Sequence, residues 1–109
     1  MADPRLRQIF IKTGVVKRYT KEKISYEKEA VKEKQRLEKF KEENRDEHDI
    51  KKQEEVIQEN LMMVPDCQRK LKVAYEDLKQ MLENEKDLEE KSEYIKALEV
   101  LEEAKLQIV

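Results

Sequence analysis

An all-α fold, an elongated antiparallel three-helix bundle, is predicted by three observations. Ile50, Ile57, Val64, Leu71 and Leu78 stand seven residues apart, and Cys67, Ala74 and Met81 follow three residues after the last three of them. Such a narrow apolar stripe on a long helix is stable only when it packs against another helix. Of the 109 residues 46% are charged and 38% hydrophobic, with one Gly, two Pro and no Trp, a composition typical of coiled coils and long-helix bundles. Two runs without an apolar residue, Glu43–Asp49 and Asn84–Asp87, divide the chain into two long segments and a shorter one. Charge at this density also suits disorder, but the sustained register argues for folding. One domain over residues 1–109 is expected,.

The first helix is expected over about residues 4–43. Asp3 is a good N-cap, and Pro4 at the first helical position loses no needed hydrogen bond. A later start near Thr13 is the alternative. Ile9, Val16, Tyr19, Tyr26, Ala30, Leu37 and Phe40 share one heptad frame, widened by Leu6, Phe10, Val15, Ile24 and Val31. Gly14 lies inside this pattern and costs about 1 kcal/mol relative to Ala. It either permits close helix contact or weakens the first turns.

In the first turn, Asn44 is the helix stop and Asp46 or Asp49 the next N-cap. The second helix is expected over about 49–83, kinked but not broken at Pro65, because Leu71 and Leu78 keep the register of Ile50 and Ile57,. In the second turn Asn84 stops that helix and Asp87 caps the third, over about 88–106. Leu88, Tyr94, Ala97, Leu98, Leu101, Ala104 and Ile108 supply its apolar spacing.

Short turns make neighbouring helices antiparallel. The third helix is too short to cover the hairpin of the other two, so it should run out near Pro65. Residues 26–64 would then form a two-helix half with a bare side. The second core column agrees: it reads Cys67, Ala74 and Met81 in one half but Gln53 and Asn60 in the other. A two-stranded seam is narrower and wetter and tolerates polar residues.

Net charge is −2, so no global field favours nucleic acid,. The charge is uneven: residues 1–41 carry 13 Lys or Arg and 6 Asp or Glu, whereas the remainder carries 11 and 20. Either a basic helix lies beside acidic ones, or a basic face docks an acidic partner. The basic clusters Lys17-Arg18-Lys21-Lys23 and Lys32-Lys34-Arg36-Lys39-Lys41 are interleaved with Glu22, Glu27, Glu29, Glu33 and Glu38, which opposes a nucleic-acid reading.

The residues offer no catalysis. Cys67 sits at a core position and reads as a small buried hydrophobe. His48, with Asp46 and Asp49, lacks the further ligands and the glycine that zinc or calcium sites need. No phosphate-binding loop or nucleophile–base pair occurs, so no enzyme, cofactor or metal is expected. No apolar run reaches the ~18 residues of a membrane span and no signal peptide is visible, so a soluble cytoplasmic protein is expected. Of Met62 and Met63, one should fill the seam while the other points outward, where flexible Met serves protein-binding surfaces. Phe40, with Leu37 and Val31, would form an apolar patch near the hairpin tip.

Three segments carry a family resemblance: Ile11-Lys12-Thr13-Gly14-Val15-Val16-Lys17-Arg18, Met62-Met63-Val64-Pro65-Asp66-Cys67-Gln68-Arg69-Lys70-Leu71, and Leu82-Glu83-Asn84-Glu85-Lys86-Asp87-Leu88-Glu89-Glu90. With Met1-Ala2-Asp3-Pro4-Arg5 they resemble, in order and spacing, the tubulin-folding cofactor A family. The resemblance implies a three-helix bundle without catalytic activity, nucleotide or other cofactor. It implies capture of β-tubulin released from the cytosolic chaperonin and hand-over to other folding cofactors before the α/β heterodimer forms. A cytoplasmic, cytoskeleton-associated place follows from it. It assigns no individual contact residues. For an acidic partner such as tubulin the basic side of helix 1 is the natural contact, through Lys17, Arg18 and Lys21, with Arg69 and Lys70 near Pro65. Phe40, Met62 and Met63 complete the partner-binding candidates. A monomer is expected. The rival reading is a homodimeric coiled-coil adaptor or scaffold, since a bare hairpin half can equally pair with a second copy.

Overall fold

The computed structural model describes residues 3–108. Met1 and Ala2, part of the N-terminal stretch that carries the resemblance, and Val109 lie outside the described residues. Three α-helices, α1 (Pro4–Glu42), α2 (Glu47–Asn84) and α3 (Ser92–Lys105), form an all-α bundle with extents of 65 × 24 × 19 Å.

The ends of α1 follow from local chemistry. The Asp3 carboxylate accepts from the Arg5 backbone N–H at 2.9 Å, so the helix starts at Pro4 rather than near Thr13,. At the other end Asn44 adopts φ 56°. The Arg45 N–H then reaches the Phe40 carbonyl at 3.1 Å and the Asn44 N–H reaches Lys41 at 3.1 Å, the paired bonds of a Schellman stop,. Asp46 caps α2 by accepting from the Asp49 N–H at 2.9 Å, so α2 starts at Glu47, two residues before the expected boundary. Lys39 and Lys41 in the last turn of α1, and Glu47 and Asp49 in the first of α2, complement the helix dipoles,. α2 is continuous through Pro65.

The third helix departs from expectation. Asp87 does not cap it. A 3-10 turn over Lys86–Leu88 intervenes, and α3 begins at Ser92, with Lys91 ahead of it making no side-chain cap. The reason is a long-range ion cluster. The Arg5 guanidinium binds Asp3 at 2.7 Å, Glu85 at 2.5 Å and Asp87 at 3.0 Å, so the Asp87 carboxylate is engaged by α1. Leu88, at the end of the 3-10 turn, is buried against the core.

One apolar core unites the three helices. Ile9 and Val16 of α1 and Leu71, Leu78 and Leu82 of α2 pack with Tyr94, Ala97, Val100, Leu101 and Ala104 of α3. The Tyr94 hydroxyl donates to the Leu82 carbonyl at 2.8 Å, satisfying its polar end inside the core. The buried Thr13 hydroxyl donates to the Ile9 carbonyl at 2.6 Å,. α3 ends where the sequence places its end: Ile108 lies beside Pro65 and Gln68, and the Lys23 ammonium donates to the Gln107 side chain at 3.3 Å.

Past that point the seam belongs to α1 and α2 alone, and charged groups enter core columns. Lys23 occupies the column of Ile9, Val16 and Ala30; its side chain is only 11% exposed and pairs with Glu27 at 2.6 Å. It is not part of an exposed basic cluster. Glu33 stands in the column of Tyr26 and Phe40, also 11% exposed at its side chain. Across the seam the Gln53 amide donates to the Glu33 carboxylate at 2.6 Å and to the Glu33 carbonyl at 2.8 Å. The polar residue at 53 is thus buried and bonded, not hydrated.

Gly14 is helical and exposed, and a Cβ added there meets nothing within 4 Å. It serves no close contact. Gly14→Ala is expected to raise stability by about 0.5–1 kcal/mol, read as a higher urea midpoint at unchanged slope. The Gln53 hydrogen bond holds the Glu33 carboxyl below its ordinary value of 4.5. A depressed carboxylate stabilises the fold above the unfolded value, and that stability is lost as pH falls through the folded one. Glu33→Gln is therefore expected to lose less stability than the parent chain between about pH 5 and 3, measured by urea titration at each pH.

Candidate functional site

A groove opens between α1 and α2 on the side that α3 leaves free. It has a volume of about 390 Å³ and is lined by Val15, Tyr19, Arg69, Lys70, Val73 and Ala74. Its position follows from the heptads. Leu71 and Leu78 point into the core, and Tyr75 and Leu82 line the side facing α3. Ala74 and Val73 therefore turn to the other side of α2, where Val15 and Tyr19 of α1 meet them.

Three cations border the groove. The Arg18 guanidinium lies over the Tyr19 ring, 4.9 Å from its centroid, an arrangement that favours a cation on an aromatic face. Its nearest carboxylate, Glu22, stands at 3.9 Å. Arg69 and Lys70 share one acid, Asp66, at 2.9 and 3.2 Å. Lys70 above all, then Arg69, holds the Asp66 carboxyl below its usual range. The same bond raises Lys70. Both cations are largely exposed.

Of the residues singled out from the sequence, the fold brings Arg18, Arg69 and Lys70 together. Lys17 and Lys21 are exposed and, among the described residues, make no ion pair. Lys21 instead shares a strip along α1 with Ile24, Ser25, Lys28, Glu29 and Lys32. Phe40 lies at the far end of the hairpin, half-buried beneath the Arg45 guanidinium at 4.2 Å. Met62 and Met63 are both exposed, Met62 to 73%, so neither fills the seam. Met62 sits on the outer face of α2 with Glu55, Gln58 and Glu59. Val15, Tyr19, Val73 and Ala74 were not singled out as a surface. The signal available was Val73: it falls two residues after the core position Leu71, off both apolar columns, and is 71% exposed.

The chemistry of reactive groups is sparse. Cys67 is buried, and burial pushes its thiol up. Among the described residues no three His, Cys, Asp or Glu side chains are arranged to hold a metal ion, and no helix is long and apolar enough to cross a membrane. What the molecule presents is a helical rod with an apolar groove and basic strips, which defines the class of a helical protein-binding module.

The chain belongs to the tubulin binding cofactor A family, which matches residues 4–101. It is 60% identical to tubulin-specific chaperone A of Gallus gallus over 107 residues, covering 98% of this chain and 99% of that one. It is 41% identical to tubulin-folding cofactor A of Arabidopsis thaliana over 86 residues, 79% of this chain and 76% of that one. The fold superposes on human tubulin chaperone cofactor A with a TM-score of 0.81 at 56% identity, covering 94% of this chain and 99% of the human one. The crystal structure of the Arabidopsis thaliana cofactor gives a TM-score of 0.85 at 35% identity, covering 94% and 96%. These relatives carry the names of chaperones and folding cofactors.

The burial of Cys67 makes a chemical prediction. In the native protein its reaction with a thiol-specific disulfide reagent is expected to be at least about a hundredfold slower than in denaturant, limited by opening of the bundle. Absorbance of the released thiolate measures both rates.

Proposed function

We propose that this chain captures β-tubulin as it leaves the cytosolic chaperonin, holds it, and passes it to other tubulin-folding cofactors before the α/β heterodimer assembles. The carrying observation is family membership across residues 4–101, with a relative named tubulin-specific chaperone A aligned over 98% of the chain. In this reading the protein acts in the cytoplasm as a monomer, is associated with the cytoskeleton through its client, and needs neither nucleotide nor metal.

The surface suits a holder. A rigid rod 65 Å long offers an extended contact without a deep pocket. Affinity for a folding intermediate has to permit release, so a solvated, charged surface with modest apolar patches serves better than a large apolar interface. Tubulin is acidic, and Lys17, Lys21, Lys28 and Lys32 on α1, which make no ion pair among the described residues, supply an attracting field. Charge of this kind raises the association rate and makes it salt-sensitive.

Three measurements test this. Labelled β-tubulin released from chaperonin with ATP should give a new, smaller band on a native gel only when this protein is added. Absence of that band, with the protein folded by circular dichroism, overturns the reading. The association rate should fall at least about threefold between ~20 and ~150 mM salt; an unchanged rate removes the lysine strip from the contact. Light scattering should give one chain of 13.2 kDa across concentration, whereas twice that mass returns the homodimeric scaffold.

A further inference from the structure

We infer that the α1/α2 groove on the side away from α3 is the docking site for an acidic, amphipathic α-helix of the captured client. This rests on the capture reading for the client's identity but on the groove's own chemistry for what it accepts.

The first argument is geometric. The seam between α1 and α2 already seats one helix, α3, on its opposite side, with Ala97 and Ala104 fully buried against it. The free side offers the same inter-helix furrow, floored by Val15, Tyr19, Val73 and Ala74. The apolar surface does not stop at the groove. Val56 and Met63 precede Lys70 at heptad intervals, and both are exposed. Val56 and Met63 are thus two separate apolar spots on the line that leads to Lys70, and they extend the edge of the groove by ~20 Å along α2,. Exposed apolar side chains beside an open furrow point to an interaction site, and an amphipathic helix laid into a groove is a recurring way to fill one.

The second argument is electrostatic and fixes the sign. Arg18, Arg69 and Lys70 rim the groove, and Asp66 must serve both Arg69 and Lys70. Glu22, at 3.9 Å from Arg18, leaves that guanidinium's donors largely unused. Farther along, Lys12 and Asp77 neutralise each other. The rim keeps a net positive charge, so carboxylates flanking the guest's apolar stripe are favoured over lysines. Nucleic acid fits poorly: an aliphatic floor gives phosphates nothing, and Glu22 and Asp66 repel them.

The test substitutes exposed groove positions in the whole chain. Val73→Glu and the double variant Arg69→Glu/Lys70→Glu disturb no buried side chain; Leu98→Glu, on the face shared by α2 and α3, is the control. Circular dichroism establishes that each is folded. Two readouts are taken: the β-tubulin band on the native gel, and anisotropy of a fluorescent stapled helix of about 20 residues, Leu on one face and Glu on the other, against its Lys counterpart. The Glu peptide should bind at least about tenfold tighter than the Lys peptide. Val73→Glu and the charge reversals should each weaken β-tubulin capture and Glu-peptide binding about tenfold or more, with Leu98→Glu near the parent. If the parent captures β-tubulin and Val73→Glu does so equally well, the groove assignment is overturned while the capture reading stands. If the parent captures none, capture fails, and the peptide decides the groove: Glu-selective binding lost in Val73→Glu supports it. Equal affinity for both peptides, or none for either, overturns it.

Discussion

The length of α3 is the constraint on which this structure depends. α1 and α2 have 39 and 38 residues, but α3 has only 14. A third helix of this length spans little more than a third of the hairpin, so the seam has to change character along its own axis. Where α3 is present, Ile9, Val16, Leu71 and Leu78 are fully buried and the core is apolar. At Gln107 the cover ends, and the next residue in the α1 column is Lys23. A long side chain with an apolar stem and a charged tip suits that boundary, since it packs on the last covered turn and still reaches polar partners. Beyond it Ala30 keeps the two remaining helices close, and the Glu33–Gln53 pair replaces apolar contacts with directed bonds.

The heptad frame of α2, the Asn44 stop, the Asp46 cap as one of two candidates, and the end of α3 near Pro65 were legible because each is set by residues close in sequence or by length alone. The polar exceptions were harder to read. Lys23 and Glu33 look like ordinary surface charges, since nothing near them in sequence reveals that Gln107 and Gln53 lie opposite. Asp87 has the right identity for a helix cap but is claimed by Arg5 across the fold. In each case a distant partner outweighed local propensity. The α1/α2 groove was legible in part: its cations Arg18, Arg69 and Lys70 stand out in the sequence. Its apolar lining does not, because Val15 and Tyr19 share the spacing of core residues and only packing shows that they stay half-buried at the groove.

The same division leaves the interior chemically closed. Among the described residues no buried side-chain nitrogen or oxygen lacks a hydrogen-bond partner, so the interior holds no polar group waiting for a ligand. The Cys67 thiol is sealed in the core. What is left in contact with solvent is charge, spread along both long helices, and a short list of apolar side chains that the bundle itself does not use.

The Arg5 cluster has a mechanical consequence. By binding Asp3, Glu85 and Asp87 together, it ties the start of α1 to the turn between α2 and α3, so all three helices are fastened at one end of the rod. The opposite end, around Asn44, is a two-helix tip with a thin seam and, among the described residues, no such tie. Local opening free energy follows the density of buried apolar contacts. The extremity held by Arg5 is therefore the stiffer one and the hairpin tip the more compliant, a gradient of rigidity along the rod's own axis.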